Sequence, residues 1–152
     1  MLEHVTENKN FAALMKSNIE KLIIHFFQTE QNFGILCRVA EVSFDPPLPE
    51  SINSEFRPFT LFFLAGYTFE TAEIQGDYLV FEAGFGADNF GSLVSVPLLS
   101  IMQIIIDETP VLINLATYKK EKKEPKKKDE NGMENSMKSF LSNPENSKFI
   151  KK

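Results

Sequence analysis

Apolar side chains recur at Phe11, Leu14, Met15, Ile19, Leu22, Ile23, Phe26 and Phe27. Steps of three, four and one residue bring such positions onto one stripe of a helix. The spacing predicts a helix from Phe11 to about Thr29, capped by Asn10, with polar residues 1–10 frayed before it. Ile24 and His25 widen the stripe, so this helix can cover a sheet and still offer surface to a partner. Asn32 and Gly34 suit its C-terminal end. The pattern then turns extended. ILCRVAEVSF (Ile35–Phe44) reads as a strand, and FTLFFL (Phe59–Leu64) as another. Between them Pro46, Pro47, Pro49 and Pro58 forbid regular pairing, which predicts a long ordered loop from Asp45 to Pro58. YTFETAEI (Tyr67–Ile74) alternates large and polar residues as a strand does.

The chain is organised around Gly76 to Ile106, GDYLVFEAGFGADNFGSLVSVPLLSIMQIII. Gln75-Gly76-Asp77 is a turn into a strand over Tyr78–Phe85. Alternation puts Tyr78, Val80, Glu82 and Gly84 on one face, and Leu79, Phe81, Ala83 and Phe85 on the other. GFGADNFG has the glycines of a phosphate loop but no following Lys and no Walker spacing, so it reads as a hairpin turn. A second strand covers Leu93–Val96. Pro97 has a fixed φ and no N–H, which suits the first position of a short helix to Asp107. Thr109-Pro110 stops that helix, and Val111–Thr117 is the last strand. Two strands and a helix around small residues make either a packed core or a groove.

Composition sharpens this picture. The 152 residues include 15 Phe and no Trp, enough apolar material for one modest core with an appendage. Up to Tyr118 there are 5 Lys+Arg against 15 Asp+Glu, leaving −10; beyond it 11 against 6 leave +5. An acidic globular part argues against nucleic acid as its ligand. From Tyr118 the chain reads KKEKKEPKKKDENGMENS, which has too little apolar surface to repay ordering. Residues 118–146 are therefore expected to be a solvated linker. Phe149 and Ile150, set among lysines after it, look like a short docking motif at 147–152. The lone Cys37 is expected as a reduced, buried thiol. No signal peptide and no membrane-length apolar run is present, which predicts a soluble cytoplasmic protein.

Catalytic chemistry is missing from the pattern. The candidate base is His25, better read as a packed helix residue, and the thiol is Cys37; their spacing is generic. There is no metal-ligand spacing such as HxH, CxxC or HExxH. Glu70, Glu73, Asp77 and Glu82 read as solvated strand positions rather than a carboxylate pair. The expectation is a binding protein, not an enzyme, with no cofactor and no metal.

The stretch from Asp77 to Ile105 resembles the signature region of the SspB (stringent starvation protein B) family. The matching positions are Phe81, Ala83, Phe85 and Gly86, then Val94, Ser95, Val96, Pro97 and Leu98. FTLFFLAGY resembles the family's preceding strand, and the helix from Phe11 its N-terminal helix, so the likeness spans most of 11–117. The chain departs at Ala87, Glu82 and Gly84, where the family has Gly, Asn and Arg, and in a turn lengthened by 88–92.

The resemblance implies a mostly β, α+β fold: an Sm-like open β-barrel with an N-terminal helix, a short second helix and a disordered tail. It implies an adaptor that binds ssrA-tagged or related peptides and tethers them to the ClpX unfoldase of the ClpXP protease. On that reading Phe81, Ala83, Phe85, Gly86, Val94 and Val96 form the peptide site, though Phe81 and Phe85 are equally readable as core. Lys148, Phe149, Ile150 and Lys151 dock on ClpX, and Ile19, Ile23 and Phe26 hold a homodimer. The competing expectation is a non-catalytic Sm-like interaction protein whose basic tail binds acidic partners or nucleic acid by charge alone.

Overall fold

The computed structural model describes residues 1–117; the expected linker and docking motif lie outside the described residues. A short helix, α1 (Leu2–Thr6), stands where the polar sequence predicts fraying. It is tied down from the far end of the domain: Thr117 N–H donates to the Thr6 carbonyl at 2.6 Å. The long helix α2 (Lys9–Gln28) follows. Asn8, not Asn10, caps it, with Oδ1 accepting from Phe11 N–H at 2.9 Å. Both residues have capping chemistry, but only Asn8 has the extended backbone a cap needs (φ −74°, ψ 133°).

Eight strands make two antiparallel sheets among the described residues. In chain order the remaining elements are β1 (Phe33–Arg38), β2 (Ser43–Asp45), α3 (Glu50–Asn53), β3 (Phe59–Leu64), α4 (Gly66–Thr71) and β4 (Glu73–Gln75). Then come β5 (Tyr78–Phe85), β6 (Phe90–Pro97), β7 (Ile101–Ile106) and β8 (Thr109–Ile113). One sheet runs β3-β1-β7-β8 and the other β2-β6-β5-β4. The architecture is α+β, with two sheets rather than one closed barrel. Ile35, Cys37, Leu79, Phe81, Val94, Val96, Ile101 and Ile104 fill the core, and α2 inserts Ile19, Ile23 and Phe26 into it.

Three expectations fail for physical reasons. The strand over Ile35–Phe44 is broken by a 3-10 turn, Val39–Glu41, that sends Phe44 into the other sheet. Arg38 holds that corner: Nε donates to Glu41 Oε2 at 3.2 Å and Nη2 to the Leu99 carbonyl at 2.8 Å. Tyr67–Thr71 belongs to a helix, not a strand. Gly66 turns the chain at φ +61°, and Phe69 packs edge-on against Phe27, centroids 5.7 Å apart. The helix expected over Pro97–Asp107 is a 3-10 turn (Leu98–Ser100) followed by β7. A short continuous apolar run reads alike for a buried helix and a central strand. Here β7 lies between β1 and β8, where isoleucine suits the pleat. Asp107 and Glu108, at φ 51° and 70°, make the two-residue turn into β8. Pro110 is accommodated because β8 is an edge strand.

Candidate peptide-binding groove

The β5–β6 hairpin pairs Glu82 with Leu93, Ala83 with Ser92, and Gly84 with Gly91. The Asn89 side chain lies over Gly84, while nothing lies within 4 Å of a Cβ position at Gly91, so the sheet surface drops into a trough on the Gly91 side. The trough opens into a groove of about 540 Å³. Asp45 and Pro46 from the end of β2 form one wall, and Tyr67 and Thr68 of α4 form another. Ser92 Oγ donates to the Pro46 carbonyl at 2.9 Å, fixing the β2 wall to β6. The α4 wall is fixed to β5, because Glu82 N–H donates to Thr71 Oγ1 at 3.0 Å. Gly84 also makes room for Asn89, whose Cγ would lie 2.6 Å from a Cβ at that position.

The groove is acidic. Asp45 and Glu82 line it, and among the described residues no Lys, Arg or His does. The Tyr67 phenol donates to Glu82 Oε1 at 2.6 Å. That bond, followed by the Glu82 charge, raises the Tyr67 phenol above its ordinary range. Chemically the site offers carboxylates, the Thr68 hydroxyl, the Asn89 amide and the half-exposed Leu93 side chain.

The six residues expected to bind peptide separate. Phe81, Val94 and Val96 are 0% exposed and belong to the core. They correct the expectation, because their strand faces point into the molecule. Phe85 is half-buried in an aromatic cluster, with centroids 5.7 Å from Phe44, 6.1 Å from Phe56 and 6.2 Å from Phe62. Gly86 serves the hairpin turn at φ +77°, where a Cβ would meet Ile52 of α3 at 3.0 Å. Ala83 lines the groove. Glu82 and Gly84 bring the opposite face of β5 to the groove, beside Ala83, which shares the face of Phe81 and Phe85. Glu82 and Gly84, departures from the family pattern, line the groove, and Leu93 and Tyr67, which the sequence reading did not single out, join them.

The dimer residues need the same correction. Ile19 and Ile23 are 0% and Phe26 8% exposed in a single chain, so a second copy cannot reach them. Leu14 and Ile24 are the large apolar side chains of α2 that stand exposed. Lys148, Phe149, Ile150 and Lys151 lie outside the described residues. His25 is exposed, beside Phe26, while Cys37 is buried, so they do not form a pair. Burial pushes the Cys37 thiol up to about 12, as suits an inert core residue. Of the four carboxylates, Asp77 accepts from Lys16 Nζ at 2.8 Å, Glu73 from Gln75 and Glu82 from Tyr67; Glu70 is exposed. Among the described residues no cluster of His, Cys, Asp and Glu could hold a metal, and no helix is long and apolar enough to cross a membrane.

Comparison with known protein families, with curated proteins and with solved structures finds no match.

Proposed function

We propose that this protein is a cytoplasmic, non-enzymatic proteolysis adaptor of the SspB kind. Its groove takes ssrA-tagged or related peptides, and Lys148–Lys151 tether the loaded protein to ClpX. The observation that carries the reading is position: the groove lies on the β5–β6 hairpin, the stretch that resembles the family. The α+β fold, with an N-terminal helix packed on the core, is compatible with an Sm-like domain. Glu82 and Gly84 stand where the family has Asn and Arg, and both line the groove. On this reading the preferred tag carries a basic side chain toward Glu82 and Asp45.

Gly91 offers the cleanest test. A Cβ there meets nothing within 4 Å, and its φ is not in the left-handed region. Gly91→Gln therefore fills the trough without disturbing the core. Fluorescence anisotropy with a labelled ssrA-type peptide, and with a version bearing a lysine, is expected to show saturable binding that Gly91→Gln weakens at least tenfold. Absence of binding by either peptide, or unchanged affinity in the folded variant, would overturn the proposal.

A further inference from the structure

A second cavity, of about 580 Å³, borders α4. Phe27, Glu30 and Asn32 line it where α2 ends, and Phe69 and Glu70 line it from α4. None of its lining residues belongs to the groove at Glu82 and Gly91. Its floor is aromatic. Phe27 and Phe69 are half-buried and meet edge to face, at 78° with centroids 5.7 Å apart. Phe33, 3% exposed, backs both rings at 6.2 and 6.4 Å, so the core holds the corner in place. Its rim is acidic. Glu30 and Glu70 are exposed, and among the described residues neither carboxylate has an ion-pair or hydrogen-bond partner. Glu30 reaches the rim through a left-handed backbone, φ 56°, which glycine or asparagine adopts more readily. Gln31 N–H donates to the Phe26 carbonyl at 2.9 Å and closes α2 at that point. Among the described residues no Lys, Arg or His lines the cavity.

We propose that this cavity takes the guanidinium of an arginine presented by a peptide segment. Aromatic rings below and carboxylates above suit a cation that also has a flat, weakly hydrated face. Guanidinium is planar, stacks on rings and carries five N–H donors in a fork that carboxylates accept in pairs. A quaternary ammonium would use the rings but leave Glu30, Glu70 and the Asn32 side-chain carbonyl without a donor. A lysine ammonium holds its water more tightly and has no face to stack. A metal ion needs more ligands than two carboxylates, and among the described residues no cluster supplies them. Residues 1–118 carry net −10, which draws a basic segment in rather than an acidic one. Free arginine fits less well than an arginine within a chain, because its α-carboxylate meets the acidic rim. The inference does not rest on the adaptor reading.

Amide chemical shifts of the isotope-labelled full chain, titrated with Nα-acetyl-arginine amide, test the site. Saturable millimolar shifts are expected at Glu30, Asn32, Phe69 and Glu70. The citrulline analogue has the shape without the charge, and tetramethylammonium has the charge without donors. Both are expected to bind at least ~fivefold more weakly, and free arginine more weakly than its blocked amide. Glu70→Gln and, separately, Phe69→Leu are expected to weaken the arginine amide at least ~threefold. Glu70 is exposed and unbonded, so its variant keeps the fold. Glu55→Gln, an exposed carboxylate that does not border the cavity, is expected to change nothing. Shifts absent from the cavity or confined to Glu82 and Gly91 would overturn the inference. So would equal binding of citrulline, tetramethylammonium or free arginine, unchanged affinity in Glu70→Gln, or an equal loss in Glu55→Gln.

Discussion

Tyr67 and Glu82, fifteen residues apart, meet across the candidate groove through a 2.6 Å hydrogen bond from phenol to carboxylate. The bond joins α4 to β5 beside the trough at Gly91. It ties the mouth of the groove to a titratable pair, and so makes the wall observable.

Tyr67 is expected to ionise above the ordinary tyrosine range, because the Glu82 carboxylate accepts its proton's hydrogen bond and its charge opposes phenolate. A raised folded value favours the protonated form. The stabilisation is thus complete below pH 10.0, the unfolded value, and is lost as pH rises through the folded one. Ultraviolet titration of the phenolate band should show a late-ionising tyrosine that returns to the ordinary range in Glu82→Gln. An identical titration curve in the variant would mean that the pair does not persist in solution.

Asn114 is 0% exposed and holds the exit of β8. Its Nδ2 donates to the Ile101 carbonyl at 2.9 Å, and its Oδ1 accepts from Ala116 N–H at 2.9 Å. Asn114→Ala leaves those buried groups unpaired, which costs about 2–3 kcal/mol. Urea denaturation should register that loss with an unchanged slope. A change below ~0.5 kcal/mol would show that water or relaxation repairs the site.

Cys37 is expected to resist a disulfide reagent under native conditions at pH 8 and to react at the rate of global unfolding. Its thiol is buried and pushed up to about 12, so almost no thiolate forms. The stabilisation is complete below 9.0, the unfolded value, and is lost as pH rises through the folded value of about 12. Fast native labelling would contradict the packing of β1 against β3.

Much of the fold was legible where one physical signal stood alone. The stripe from Phe11 predicted α2, and β3 and β5 have the bounds that alternation predicts. The failures came where two elements write the same pattern. Ile101–Ile106 is apolar enough for a helix or a central strand, and only its place between β1 and β8 decides. Tyr67–Thr71 alternates like a strand, yet the packing of Phe69 against Phe27 selects a helix. The site divided likewise. Phe81, Val94 and Val96 drew attention as a motif, but apolar residues on alternate strand positions are what a core consumes. Apart from Ala83, the groove uses what the motif left over: Glu82, Gly84, Gly91 and Leu93.

The central claim is delivery: a groove that holds a tagged chain and a terminal motif that docks on the unfoldase. On that proposal two apolar anchors, Phe149 and Ile150, would supply at most ~3–6 kcal/mol before ordering costs, so a single tail is expected to bind weakly. The most direct measurement is the rate at which ClpXP degrades a tagged substrate at low concentration, with and without this protein. The account predicts acceleration by the intact chain and none after deletion of Lys148–Lys152, although the truncated chain still binds peptide. Gly91→Gln should lose both. Equal acceleration by the truncated and intact proteins, or no acceleration by the intact one, would contradict it.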